Sequence, residues 1–122
     1  EQKLSMQLRK NQKAPETNAN GTTTWHFTET PKLSTYLCAI GVGELESEEQ
    51  RHVGTVPVRV WHVPEKSHLA GFALECAVAS LQLLEKYFGI PYPYDKLDLV
   101  AVPDFEAGAM ENAGAALQEA TS

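Results

Sequence analysis

Apolar and polar residues alternate at the start of the chain. Leu4, Met6 and Leu8 alternate with Ser5, Gln7 and Arg9, the period of a half-buried strand. Asn20-Gly21 is a strong tight-turn signal, and Thr22 to Thr28, with Trp25 and Phe27 on one face, predicts the returning strand. Asn20-Gly21-Thr22 also matches the N-glycosylation pattern, although the turn alone accounts for it. Tyr36 to Val42 reads as a third strand, closed by Gly43. Glu44, Glu46, Glu48 and Glu49 then form an acidic, core-poor patch expected to run over the surface as a loop. Val56 to Val63 alternates again, with Val56, Val58, Val60 and His62 on one face; Pro57 suits an edge position or a strand start rather than a central one.

Residues 67 to 88 carry a helical pattern. Ser67 is a suitable N-cap. Gly89 suits the left-handed C′ position, Ile90 the hydrophobic position after it, and Pro91 blocks continuation. At 100° per residue Glu75, Gln82, Glu85 and Lys86 fall in one narrow polar stripe, and nearly everything else is apolar or small. Such a helix requires neighbours on several sides, as within a larger domain. Tyr92 to Lys96 reads as a turn, and Leu97 to Val102 as a strand ended by Pro103.

Composition narrows the function classes. The 122 residues are 43% hydrophobic and 21% charged, an ordinary globular balance. A net charge of -6 argues against a nucleic-acid module, which would show a basic face. No wholly apolar run approaches the roughly 20 residues of a membrane span, so none is expected. The chain begins at Glu1 with no targeting pattern, as an internal piece of a longer protein would. Cys38 and Cys76 sit among apolar residues and are expected as buried free thiols, with a disulfide left open.

Residues 104 to 122 hold Asp104, Glu106, Glu111 and Glu119 without a Lys or Arg. On charge alone this is a solvated loop. The run Gly108-Ala109-Met110-Glu111-Asn112 suggests more. Small residues let another backbone come close, and a strand edge of this kind can pair with an extended peptide. A carboxylate beside that edge can meet the peptide's α-amine, which measures distance from the terminus.

These five residues resemble the G-A-M-E-N exopeptidase motif of the zinc aminopeptidases of the alanyl and puromycin-sensitive family. The flanks are similar as well: Thr30 to Leu37 looks like the end of that family's N-terminal β domain, and Tyr87 to Phe105 like the run into the motif. The resemblance implies a mixed α and β chain. Residues 1–53 would be the C-terminal part of a β-sandwich-like domain, and 54–122 the opening strand-helix-strand of a thermolysin-like α+β catalytic domain. By resemblance Glu111 binds the free α-amine of a peptide substrate, Gly108 and Ala109 offer backbone, and Met110 and Asn112 shape the pocket and hold the loop. Ordinary packing for Met110 and a local side-chain-to-backbone hydrogen bond for Asn112 are the structural alternatives.

The family's chemistry also needs zinc, held by H-E-x-x-H on a helix and a further Glu. His26, His52, His62 and His68 are followed by Phe27, Val53, Val63 and Leu69, and no His stands four residues after any of them. The four are expected at the surface or in packing, and zinc would be bound outside this chain. The chain by itself is expected to be inactive. After the motif, Ala113-Gly114 fit the family, but Ala115 to Glu119 reaches its Glu one residue early and lacks the Arg before it. The alternative function is a peptide- or partner-binding remnant without zinc.

Overall fold

The computed structural model describes residues 4–7, 15–27, 29, 32–103, 105–106 and 108–119. Strand β1 (Leu4–Gln7) pairs antiparallel with β4 (Ile40–Gly43), and β2 (Glu16–Thr17) with β3 (Thr23–Thr24). The expected first strand is thus present, although its last position, Leu8, lies outside the described residues. The returning strand is shorter than expected, and its far end at Thr28 also lies outside them. The Asn20-Gly21 turn is formed: Gly21 has φ 79°, and the Asn20 side-chain oxygen accepts from the Thr22 amide at 3.1 Å and its hydroxyl at 2.7 Å. Thr35–Leu37 is a 3₁₀ turn, not strand, because the Ser34 hydroxyl accepts from the Tyr36 amide and starts a turn there.

A six-stranded sheet dominates the rest. It comprises β5 (Glu46–Ser47), β6 (Arg51–Val53), β7 (Val56–His62), β8 (Leu97–Val102), β9 (Ala109–Met110) and β10 (Ala115–Glu119). The strand order is β5-β7-β8-β10-β9, with β6 also paired to β7. Positions 53 and 54 fall at the β6–β7 hairpin, where Val53 faces Val56 across a two-residue turn with Gly54 at φ 56°. Part of the acidic patch is therefore strand, not loop: Glu46 pairs with His62 and Ser47 with Trp61.

β7 shows the alternation read from its sequence, with Val56, Val58, Val60 and His62 buried. It is interior to the sheet, yet Pro57 sits at its start. Pro57 faces His52 one residue before pairing with β8 begins at Val58–Leu97, so its missing N–H interrupts no ladder there.

Helix α1 (Ser67–Phe88) crosses from β7 to β8, whose strands run parallel. It packs on β7 and β6 through Ala70, Leu74, Ala77 and Leu81, spaced at helical intervals, against Val53, Val56, Val58 and Val60. Ser67 is the first helical residue and not the N-cap. A 3₁₀ turn at Pro64–Lys66 leads straight into the helix, and Lys66 occupies the cap without a side-chain bond. The C-terminus is as expected: Gly89 takes φ 68° and its amide donates to the Glu85 carbonyl at 2.9 Å.

One face of α1 meets the sheet; Phe72, Leu83, Tyr87 and Phe88 are exposed. By length and composition the stretch Pro64–Phe88 also meets the requirement for a membrane span, which the sequence reading did not anticipate. It carries Glu65, Lys66, Glu75, Glu85 and Lys86 and buries its small-residue face on the sheet. Both cysteines are free, and they are exposed instead of buried: Cys76 lies on the flank of α1, outside the face packed on β7, and Cys38 just after the 3₁₀ turn. Leu74→Ala should lower the unfolding free energy by about 2–5 kcal/mol through lost burial and a residual cavity. Leu83→Ala, at a side chain 66% exposed, should shift it by no more than about 0.5 kcal/mol. Urea denaturation of both variants checks the pair.

Candidate functional site

Within the acidic C-terminal stretch, Ala109–Met110 and Ala115–Glu119 are strands, while Glu106 and Glu111 lie outside them and are exposed. β10 pairs in parallel with β8 from Ala115–Asp98 to Glu119–Val102, and β9 pairs antiparallel with β10 at Met110–Leu117 and Ala109–Gln118. The strand after Gly114 therefore forms despite its departure from the family pattern. β9 is the last strand in the order, so among the described residues one side of it is an open edge.

Hydrogen bonding decides which backbone groups that edge offers. The Gly108 carbonyl accepts from the Glu119 amide at 2.7 Å, and the Gly108 amide donates to Phe105 at 3.0 Å. Gly108 is thus committed within the chain. Its φ of 71° requires glycine, although a Cβ there would meet open space. Antiparallel strands direct successive residues alternately toward and away from the partner. With Gly108 bonded to β10, Ala109 is the residue whose N–H and C=O face outward.

The side chains divide in the same way. Met110 shares a face with Leu117 and Val100, opposite the face on which α1 lies, and is half-buried. Glu111 follows the strand directly and is exposed. Asn112 is 4% exposed, and neither polar atom of its side chain has a partner among the described residues. Its backbone does the holding instead: the Asn112 carbonyl accepts from the Ala115 amide at 3.1 Å, closing a turn in which Gly114 has φ 72°. The local side-chain-to-backbone bond that was the structural alternative for Asn112 is not made among the described residues.

Three residues read from sequence only as turn or strand converge on that turn. The Gly114 carbonyl accepts from the Asp98 amide at 3.0 Å and from Lys96 Nζ at 3.3 Å. Lys96 also forms an ion pair with the Asp98 carboxylate, and both side chains are largely removed from water. The backbone of Gly114 also acts on the nearby Tyr92 phenol, favouring its ionised form. No sequence signal joins these residues to the motif, because Lys96 and Gly114 are 18 positions apart.

The histidines stay apart. His62 is buried, with Nδ1 2.8 Å from the Val63 carbonyl and Nε2 3.6 Å from the Glu48 carboxylate; His26 lies 3.7 Å from Glu16. Among the described residues no three His, Cys, Asp or Glu side chains are grouped to hold a metal ion. On the helix side of the sheet, an apolar groove of about 560 Å³ runs between α1 and β8, lined by Val60, Leu69, Phe72, Cys76, Leu99 and Ala101 among others.

The profile of the peptidase family M1 domain matches residues 72–122, from the second turn of α1 through the motif. Endoplasmic reticulum aminopeptidase 1 of Homo sapiens is 47% identical over 98 residues, covering 80% of this chain and 10% of that protein. The chain belongs to peptidase family M1. Aminopeptidase 2 of Candida albicans is 48% identical over 88 residues, covering 72% of this chain and 9% of that protein. Leucyl aminopeptidase of Saccharolobus solfataricus is 43% identical over 101 residues, covering 82% of this chain and 13% of that protein. This M1 chain therefore spans about a tenth of the length of the curated relatives it matches.

Tyr92 gives the site a pH signature. Burial pushes its phenol up to about 12; the Gly114 backbone bond opposes the shift, and the nearby Tyr94 and Asp98 add to it. The folded state keeps a proton that an unfolded tyrosine releases near 10. The resulting stabilisation is complete below pH 10 and is lost as the pH climbs from 10 to about 12. Tyr92→Phe should flatten the alkaline fall in stability across that window, measured as urea midpoints at pH 9 and pH 11.

Proposed function

We propose that the protein carrying this chain is a zinc-dependent aminopeptidase that removes amino acids from the N-terminus of peptides. The observation that carries this reading is an open strand edge with a carboxylate immediately beyond it. An extended substrate adds to β9 as a further strand, bonding to the outward N–H and C=O of Ala109. Glu111, exposed at the end of the edge, accepts the positive α-amine of the first residue. An ion pair there limits the substrate to one residue beyond the anchor, as an exopeptidase requires. Met110 supports the edge from the opposite sheet face, and Gly108 and Asn112 set its two ends. The aminopeptidase names of the relatives agree with this reading.

Zinc supplies polarisation of the peptide carbonyl and an activated water in this chemistry. The described residues do not fit a zinc site, so its ligands would lie outside this chain, and what the chain itself contributes is binding and orientation. Residues 1–53 would close an N-terminal β domain, and 54–122 open the thermolysin-like peptidase domain, with β6 of the first portion paired to β7 of the second.

Two measurements test the proposal. The 122-residue chain, freed of contaminating peptidase, should release no product from an aminoacyl reporter. In the full-length protein, Glu111→Gln should lower kcat/KM on substrates with a free N-terminus by about ten- to a hundredfold, the worth of one charge-assisted bond. Unchanged kinetics on those substrates would remove Glu111 from this role.

A further inference from the structure

We infer that Lys96 is a positioning residue for Glu111, holding the substrate-binding turn in place through the carbonyl of Gly114. The inference rests on the reading of Glu111 as the amine anchor. Glu111 is exposed and lies between a two-residue strand and a tight turn, so its position depends on what secures those two elements. The side chain that would ordinarily brace such a turn, Asn112, bonds to nothing among the described residues. The bracing comes from the base of β8 instead. The Asp98 amide and the Lys96 ammonium both donate to the Gly114 carbonyl, three residues beyond Glu111.

The chemistry of this contact makes it a specific clasp. Lys96 has a side chain 13% exposed and Asp98 one of 10%, so the pair sits where water competes poorly. A hydrogen bond from a charged donor is roughly twice as strong as a neutral one and holds its geometry more tightly. The Asp98 carboxylate neutralises the ammonium and orients it toward Gly114. The bond from the Ala115 amide to the Asn112 carbonyl closes a turn over residues 112–115, which begins at the residue directly after Glu111. A shift of the Gly114 carbonyl therefore carries Glu111 with it. Displacement of a substrate anchor by about 1 Å is enough to cost on the order of a hundredfold in rate.

The test is a kinetic cycle in the full-length protein, read on leucine p-nitroanilide. Lys96→Met alone leaves Asp98 charged and buried and risks misfolding, so the working variant is Lys96→Met combined with Asp98→Asn, which removes both charges. It should lower kcat/KM about tenfold, mainly through KM, and Lys96→Arg with native Asp98 should retain most of the activity. In a Glu111→Gln background the double substitution should cost nothing further. A full additional loss there, or no loss in the native background, overturns the inference.

Amide exchange in the 122-residue chain reads the clasp independently of activity. The Ala115 amide should exchange about tenfold faster in the double variant, and unchanged exchange also overturns the inference. If Glu111→Gln alone leaves the kinetics intact, the anchor reading fails and the positioning role fails with it; the exchange result then still shows whether the clasp itself exists.

Discussion

The carbonyl of Gly114 joins the motif to the rest of the fold. β8 and β10 are parallel neighbours, and parallel strands cannot be linked by a tight hairpin. The chain leaving Val102 must return to the start of β8 before β10 can begin, and the motif lies on that return. At its end, the Gly114 carbonyl accepts from the Asp98 amide and the Lys96 ammonium, and the Tyr92 phenol lies nearby. The turn is therefore anchored to the base of β8 before the parallel ladder starts. β9 can then remain two residues long and open on one side while its neighbours stay in register. A short, tethered edge is also one that resists unwanted pairing with other chains.

The sheet and helix supply the platform. α1 lies over β6 and β7, where small residues at Ala70 and Ala77 let it approach the valines of β7. Placed there, it covers the same face of β8 only in part, with Leu97 and Leu99 packed against the core, and the groove between them is lined by Leu69, Phe72, Leu99 and Ala101. Met110, Leu117 and Val100 pack on the other face. The edge that carries Glu111 is thus separated from β7, over which the helix lies, by β8 and β10, and motif side chains alternate between supporting the sheet and facing solvent.

Much of the fold was legible because it depends on local chemistry. The alternation of β7, the run of β8 and the glycine stop of α1 are properties of short windows, and each appears where its residues place it. Reading failed where neighbours overrode the window. Ser67 looks like a cap until the preceding Pro64–Lys66 turn carries the helix past it. Cys76 looks buried by composition, but α1 faces the sheet with a different side. The acidic residues near Glu46 and Glu119 look like loops, yet pairing with β7 and β8 draws both into strands. The motif was legible as five contiguous residues. Its supports at Tyr92, Lys96 and Asp98 were not, because a contact across 18 positions leaves no periodicity to read.

The sequence by itself determined β7, β8, the body of α1 and the candidate run Gly108–Asn112: strand and helix periods are set by side-chain spacing, and the run is recognised by its residue types. Only the tertiary structure decided which face of α1 is covered, that β9 is the open edge, and that Ala109 rather than Gly108 presents free backbone there. Those outcomes, which hold among the described residues, depend on which distant strands share hydrogen bonds. A backbone donor or acceptor cannot be called available until every potential partner has been placed around it.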